Sequence, residues 1–168
     1  MPVTRMNHAV LYVRDAARTA AFYREALDFR VVFQMAGGSA IFLQAAGSTN
    51  DHDLGLFTVG EGAAPSAAGH GSVGLYHIAW EVDTLDELAR IETRLVERGA
   101  LVGATDHGTT KALYAKDPDG LEFEVSWLVP AALVTEEMRA RMAPLDLDAE
   151  RRRFGGTTRG GVGVSIPA

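Results

Sequence analysis

The sequence predicts an α+β fold: two tandem βαβββ modules whose strands form a cup-shaped mixed sheet, with a short C-terminal helix and tail behind them. Three observations predict it. First, a β-rich segment repeats. Met6-Asn-His-Ala-Val-Leu-Tyr-Val13 and Leu75-Tyr-His-Ile-Ala-Trp-Glu-Val82 each carry a histidine in the third position. Second, a helical spacing of apolar residues follows each segment directly. Third, three strand-like runs follow each helix. His8 and His77 lie 69 positions apart, which sets the repeat offset.

The elements follow in order. Asp15 is the expected N-cap of the first helix, whose stripe is Ala16, Ala20, Tyr23 and Leu27. Strand-like runs at 29–35, 40–45 and 53–59 come next, separated by Gly37-Gly38 and by the polar stretch Gly47–Asp51. Residues 60–73 are rich in Gly, Ala, Ser and Pro and read as a linker. In the second module Thr84 and Glu87 form a capping-box signature. Leu88, Ile91 and Leu95 make the stripe, and Gly99 stops the helix. Runs at 100–104, 110–116 and 121–128 follow, with the turn Asp117-Pro-Asp-Gly120 before the last. The expected organisation is one domain over 1–130: module one at 5–60, the linker at 60–73, module two at 74–129. Residues 131–168 are expected to form a C-terminal helix, over Thr135–Met142, and a tail that is loose from Gly155 onward.

Composition narrows the function. The 168 residues are 47% hydrophobic and 23% charged, which is globular and excludes a disordered chain. There is no cysteine, so no disulfide, thiol nucleophile or cysteine-held metal exists. The net charge of −6 leaves no electrostatic footprint for nucleic acid. Of the basic residues only Lys111 and Lys116 are lysine, and the Arg151-Arg152-Arg153 run reads as solvated tail. No apolar run approaches the roughly 18 residues that cross a bilayer, and no signal-peptide core is seen. The expectation is a cytoplasmic protein acting on a small molecule.

Strand alternation sorts the faces. Asn7, Ala9, Leu11 and Val13 share one face, with His8 opposite. Tyr76, Ile78, Trp80 and Val82 share an apolar face, with His77 opposite. In the last strand Leu121, Phe123, Val125 and Trp127 oppose Glu122, Glu124 and Ser126. Apolar rows belong under the helices, so the histidines and glutamates line the other side. His8, His77 and one of Glu124 or Glu122 then offer two imidazoles and a carboxylate, the donor set of non-haem Fe(II) oxygenases. The repeat offset places Gly55 or Leu56 opposite the carboxylate, and neither binds metal. The symmetry therefore yields three protein ligands and an open face.

These segments resemble the vicinal oxygen chelate superfamily (glyoxalase, bleomycin resistance, dioxygenase), built from paired βαβββ modules. Within it the chain is most similar to type I extradiol catechol dioxygenases. The resemblance rests on the two repeats, on Asp51-His-Asp-Leu-Gly-Leu-Phe57 and on Asp106-His-Gly-Thr-Thr-Lys-Ala-Leu-Tyr114 through Asp117-Pro-Asp-Gly-Leu-Glu-Phe-Glu124. It covers about residues 5–128. It implies His8, His77 and Glu124, not Glu122, as metal ligands, and Fe(II) as the ion, with Mn(II) also suited to that set. It implies His52 as acid–base residue, His107 and Tyr114 as groups that hydrogen-bond the substrate, and an aromatic diol and O2 as substrates. His70, off these positions, reads as a surface residue. A homodimer is implied because two-module relatives bury sheet edges between subunits. Rival readings on the same fold are a Mn(II) thiol transferase, an isomerase, and a binding module for an aromatic drug such as bleomycin. A four-ligand isomerase site is denied by Gly55 or Leu56. The thiol transferase has no clear need of His52, His107 and Tyr114 together, and the binding module has no need of His8, His77 and Glu124 as a metal set.

Overall fold

The computed structural model describes residues 2–3, 5–69, 71–161 and 164; His70, read above as a surface residue, lies outside them. The chain forms two compact units, residues 1–66 with 117–120, and residues 67–116 with 121–168. The break between 66 and 67 falls inside the expected linker. Among the described residues no helix is long and apolar enough to cross a membrane.

The first unit runs β1 (Ala9–Val13), α1 (Ala16–Leu27), β2 (Arg30–Gln34), β3 (Ala40–Gln44) and β4 (Leu54–Thr58). Its sheet order is β1-β4-β3-β2, with β1 parallel to β4 and the other pairs antiparallel. Asp15 caps α1 as expected, its carboxylate accepting from the N–H groups of Ala17 and Arg18. The buried face of α1 is mostly alanine, Ala16, Ala20 and Ala26, around Tyr23. Small residues let the helix approach Leu43, Leu54 and Leu56, all fully buried. Burying each such leucine contributes about 1.5–3 kcal/mol. The 117–120 turn belongs to this unit: Arg14 and Arg18 both hold Asp119 Oδ1, at 3.0 and 2.9 Å.

The second unit repeats the plan. It runs β5 (His77–Glu81), α2 (Leu85–Glu97), β6 (Leu101–Asp106), β7 (Thr110–Lys116) and β8 (Glu122–Leu128). β5 lies parallel to β8, and the order is β5-β8-β7-β6-β9, where β9 is Ala143–Pro144. Thr84 caps α2 by accepting from Glu87 N–H, and Leu88, Ile91 and Leu95 are buried. The mixed α+β architecture of two βαβββ modules is thus present.

The C-terminal region departs from expectation. The helix expected over Thr135–Met142 is one turn only, α3 (Glu136–Arg139). After β9 comes α4 (Leu147–Phe154), capped by Asp146. Arg151–Arg153 are its last turn, where cations complement the helix dipole, and Arg151 pairs with Asp86 at 2.7 Å. They are exposed, as expected, but belong to a helix and not to a tail. The stretch from Gly155 was expected to be loose; as far as Gly161 it makes specific contacts. Gly160 N–H donates to Asp83 O at 2.8 Å, and Trp127 Nε1–H donates to Thr158 O at 3.2 Å. A Cβ on Gly160 would lie 2.0 Å from Leu128 O, so glycine serves close packing here. Tyr76 also departs: it is exposed, with its ring 4.6 Å from that of His77.

Candidate metal and acid–base site

In the second unit the polar face of the sheet carries four of the expected residues together. β7 pairs Tyr114 with Glu124 on β8, and β8 in turn pairs with β5, which begins at His77. His77 Nε2 lies 3.3 Å from Glu124 Oε2. His107 Nε2 lies 2.8 Å from the Tyr114 hydroxyl. Glu122, two residues away on the same face, goes instead to Lys116 at 3.5 Å.

Tyr114 is held as a neutral phenol. Burial pushes its pKa up to about 12, and the nearby Glu124 charge and its hydrogen bond to that carboxylate add to this. A phenol donating to Glu124 accepts from His107, so Nε2 of His107 carries the hydrogen. The order is His107 to Tyr114 to Glu124, a polar row ending at the carboxylate.

In the first unit His8 is exposed just before β1, and its ring lies 4.4 Å from that of His52. His52 Nδ1 lies 3.0 Å from Asp51 Oδ2. That hydrogen bond holds the Asp51 carboxyl below its ordinary range. An ionised carboxylate only accepts, so Nδ1 carries the hydrogen and Nε2 is the working nitrogen. Phe42 stands edge-on to His52 at 5.1 Å and covers Gly55, where a Cβ would meet its ring at 3.4 Å. Sequence reasoning missed Asp51 and Phe42. The adjacency of Asp51 to His52 and the outward phase of Phe42 on β3 were the available signals.

The register settles the fourth corner. Val10 pairs with Gly55 as Ala79 pairs with Glu124, and Val10 and Ala79 are repeat equivalents. The counterpart of Glu124 is therefore Gly55, under Phe42. Among the described residues no group of three or more His, Asp or Glu side chains is close enough to hold a metal ion. The structure brings together His77 with Glu124, and His8 with His52. The His77–Glu124 pair does fit a metal: two donors each about 2.1 Å from a shared ion stand roughly 3 Å apart. Both side chains are largely buried, 24% and 13% exposed.

This fold and donor chemistry define a class. Residues 5–125 match the Glyoxalase/Bleomycin resistance protein/Dioxygenase superfamily, and the chain belongs to that family. It is 31% identical over 123 residues to a catechol-2,3-dioxygenase of Bacillus subtilis (strain 168), a match covering 73% of this chain and 41% of that protein. The chain thus spans less than half the length of that relative. Its fold is similar to that of a glyoxylase/bleomycin resistance protein/dioxygenase domain from Frankia sp. EAN1pec, with TM-score 0.60 and 21% identity, covering 74% of this chain and 92% of that one. It is also similar to the fosfomycin resistance protein FosX of Listeria monocytogenes, with TM-score 0.57 and 18% identity, covering 82% of this chain and 99% of that one. At those identities the likeness is one of fold.

Proposed function

We propose that the protein is an Fe(II)-dependent extradiol dioxygenase, opening the ring of a catechol-type diol with O2. The observation that carries this reading is the contiguous row His77, Glu124, Tyr114 and His107 on one open sheet face. The identity to a catechol-2,3-dioxygenase supports it. In this reading His8, His77 and Glu124 hold the ion, Fe(II) or, on the same donors, Mn(II). Such an ion, when bound, would bring the diol and dioxygen together and let electron density pass from one to the other.

The protein groups do the rest. His52, its Nδ1 hydrogen fixed by Asp51, takes and returns a proton at Nε2. Phe42 keeps one side of that ring away from water. In this reading the Tyr114 hydroxyl turns its hydrogen from Glu124 to the substrate oxygen where negative charge develops, and His107, donating to that hydroxyl, strengthens it as a donor. Tyr114, kept protonated by its surroundings, remains a donor across the working pH range. Both atoms of O2 end in the ring-opened acid.

The test is a panel of catechols given to protein loaded anaerobically with Fe(II), read by the absorbance of the ring-cleaved product. Product from at least one catechol is expected. Full iron occupancy with no product from any member overturns the reading.

The reading includes a cytoplasmic location and a homodimer. All five residues of β2 are exposed at the end of its sheet, among them Val31, Val32 and Phe33. The equivalent strand β6 is covered by β9. An uncovered apolar edge favours pairing with a second copy. Sedimentation at micromolar concentration is expected to give twice the 18.0 kDa chain mass, and a monomer refutes the dimer.

A further inference from the structure

Beneath the turn that carries His107 lies a charged group that the proposed chemistry does not use. Lys111 is completely buried. Its Nζ contacts Asp106 Oδ1 and, at 3.0 Å, Glu150 Oε2 on α4. The Phe154 ring, also on α4, lies 5.6 Å away. Asp106 is 1% exposed; its Oδ1 also accepts Gly108 N–H at 2.8 Å, and its Oδ2 takes Arg141. Two cations and two carboxylates therefore neutralise one another, with Lys111, Asp106 and Glu150 buried and Arg141 half exposed at the edge. Such a group is costly to break by removing one member and nearly neutral when replaced whole by apolar side chains. Its stabilising value is small, so its use lies in fixing geometry.

What it fixes is the turn. Asp106 ends β6 and Lys111 lies on β7, cross-strand partners on either side of residues 107–109. His107 N–H donates to Thr110 O at 2.9 Å, and Val129 N–H to Thr109 O at 2.9 Å. Gly108 has φ of 74°, and a Cβ there would lie 1.7 Å from Met138 O. Only glycine meets both the left-handed backbone and the approach of α3. The C-terminal extension thus supplies Glu150, Arg141 and the Met138 carbonyl to the turn whose first residue reaches Tyr114.

We propose that Glu150 and Lys111 are positioning residues: the docking of α4 onto the Lys111–Asp106 pair aims His107 at Tyr114, so the C-terminal extension governs turnover through that turn. This rests on the reading that His107 and Tyr114 act on the substrate.

The experiment compares the full-length wild type with Glu150→Gln, by hydrogen–deuterium exchange and by steady-state kinetics on iron-loaded protein. Exchange over residues 104–111 is expected to rise while that over 75–82 stays unchanged. At equal iron content kcat is expected to fall roughly tenfold or more with KM unchanged, because the neutral amide no longer pairs with the buried Lys111 charge. Should Glu150→Gln not fold, Lys111→Met combined with Glu150→Leu removes one cation and one carboxylate together. That double variant is expected to show the same pattern. A folded variant whose turn exchanges like the wild type overturns the proposal, as does a rise spread evenly over the sheet. If the wild type cleaves no catechol, the dioxygenase reading fails, and the exchange result still decides the coupling of α4 to the turn.

Discussion

Alanine at His8, His77 or Glu124 is expected to leave a folded protein without stoichiometric iron and without activity. Each substitution removes one of the three donors proposed to hold the ion. The loss in metal affinity should exceed the roughly 10–100-fold that losing an outer hydrogen-bond partner costs. Glu122→Ala is the contrasting variant. Glu122 faces Lys116 at 3.5 Å, whereas Glu124 faces His77 at 3.3 Å. Glu122→Ala is therefore expected to keep both iron and turnover. Metal analysis of the four purified variants checks this, and normal iron content in a His8, His77 or Glu124 variant removes that residue from the ligand set.

His52→Gln is expected to separate chemistry from binding. Glutamine can still donate to Asp51, which His52 Nδ1 meets at 3.0 Å, but it cannot take up and release a proton. Iron occupancy and catechol affinity should stay near normal, and turnover should fall by roughly 10²–10⁴-fold, the usual scale of general acid–base help. Tyr114→Phe should act in the same direction more mildly, since one hydrogen bond to a charged group is worth about 1.5–3 kcal/mol. Single-turnover kinetics beside an iron assay reads both. Loss of iron in His52→Gln makes it a ligand, and a wild-type rate ends its role as acid–base residue.

The two modules are legible because their information is local and repeated. Asp15, Thr84 and the apolar stripes name the helices, and the repeat offset aligns His8 with His77. The offset left Gly55 and Leu56 open, and the strand register resolves it, because Val10 pairs with Gly55 as Ala79 pairs with Glu124. The C-terminal extension is illegible for the opposite reason. β9 is two residues long and ends in Pro144, too short to show alternation. In α4 only Leu147 and Glu150 are buried, so no apolar stripe announces it. What docks it is a glutamate meeting a buried lysine 39 positions earlier, a pairing no local pattern encodes. Glycine at 160 reads as freedom in a sequence and serves as clearance beside Trp127. In the site, residue types were legible and partners were not: that His52 sits against His8, or that Tyr114 links His107 to Glu124, depends on strand pairing.

Oxygen uptake in a closed cell, on protein of measured iron content, decides the dioxygenase reading. Catechol-dependent uptake of one O2 per ring opened is expected, absent from His77→Ala and Glu124→Ala. Iron-replete wild-type protein that consumes no O2 with any catechol would contradict that reading.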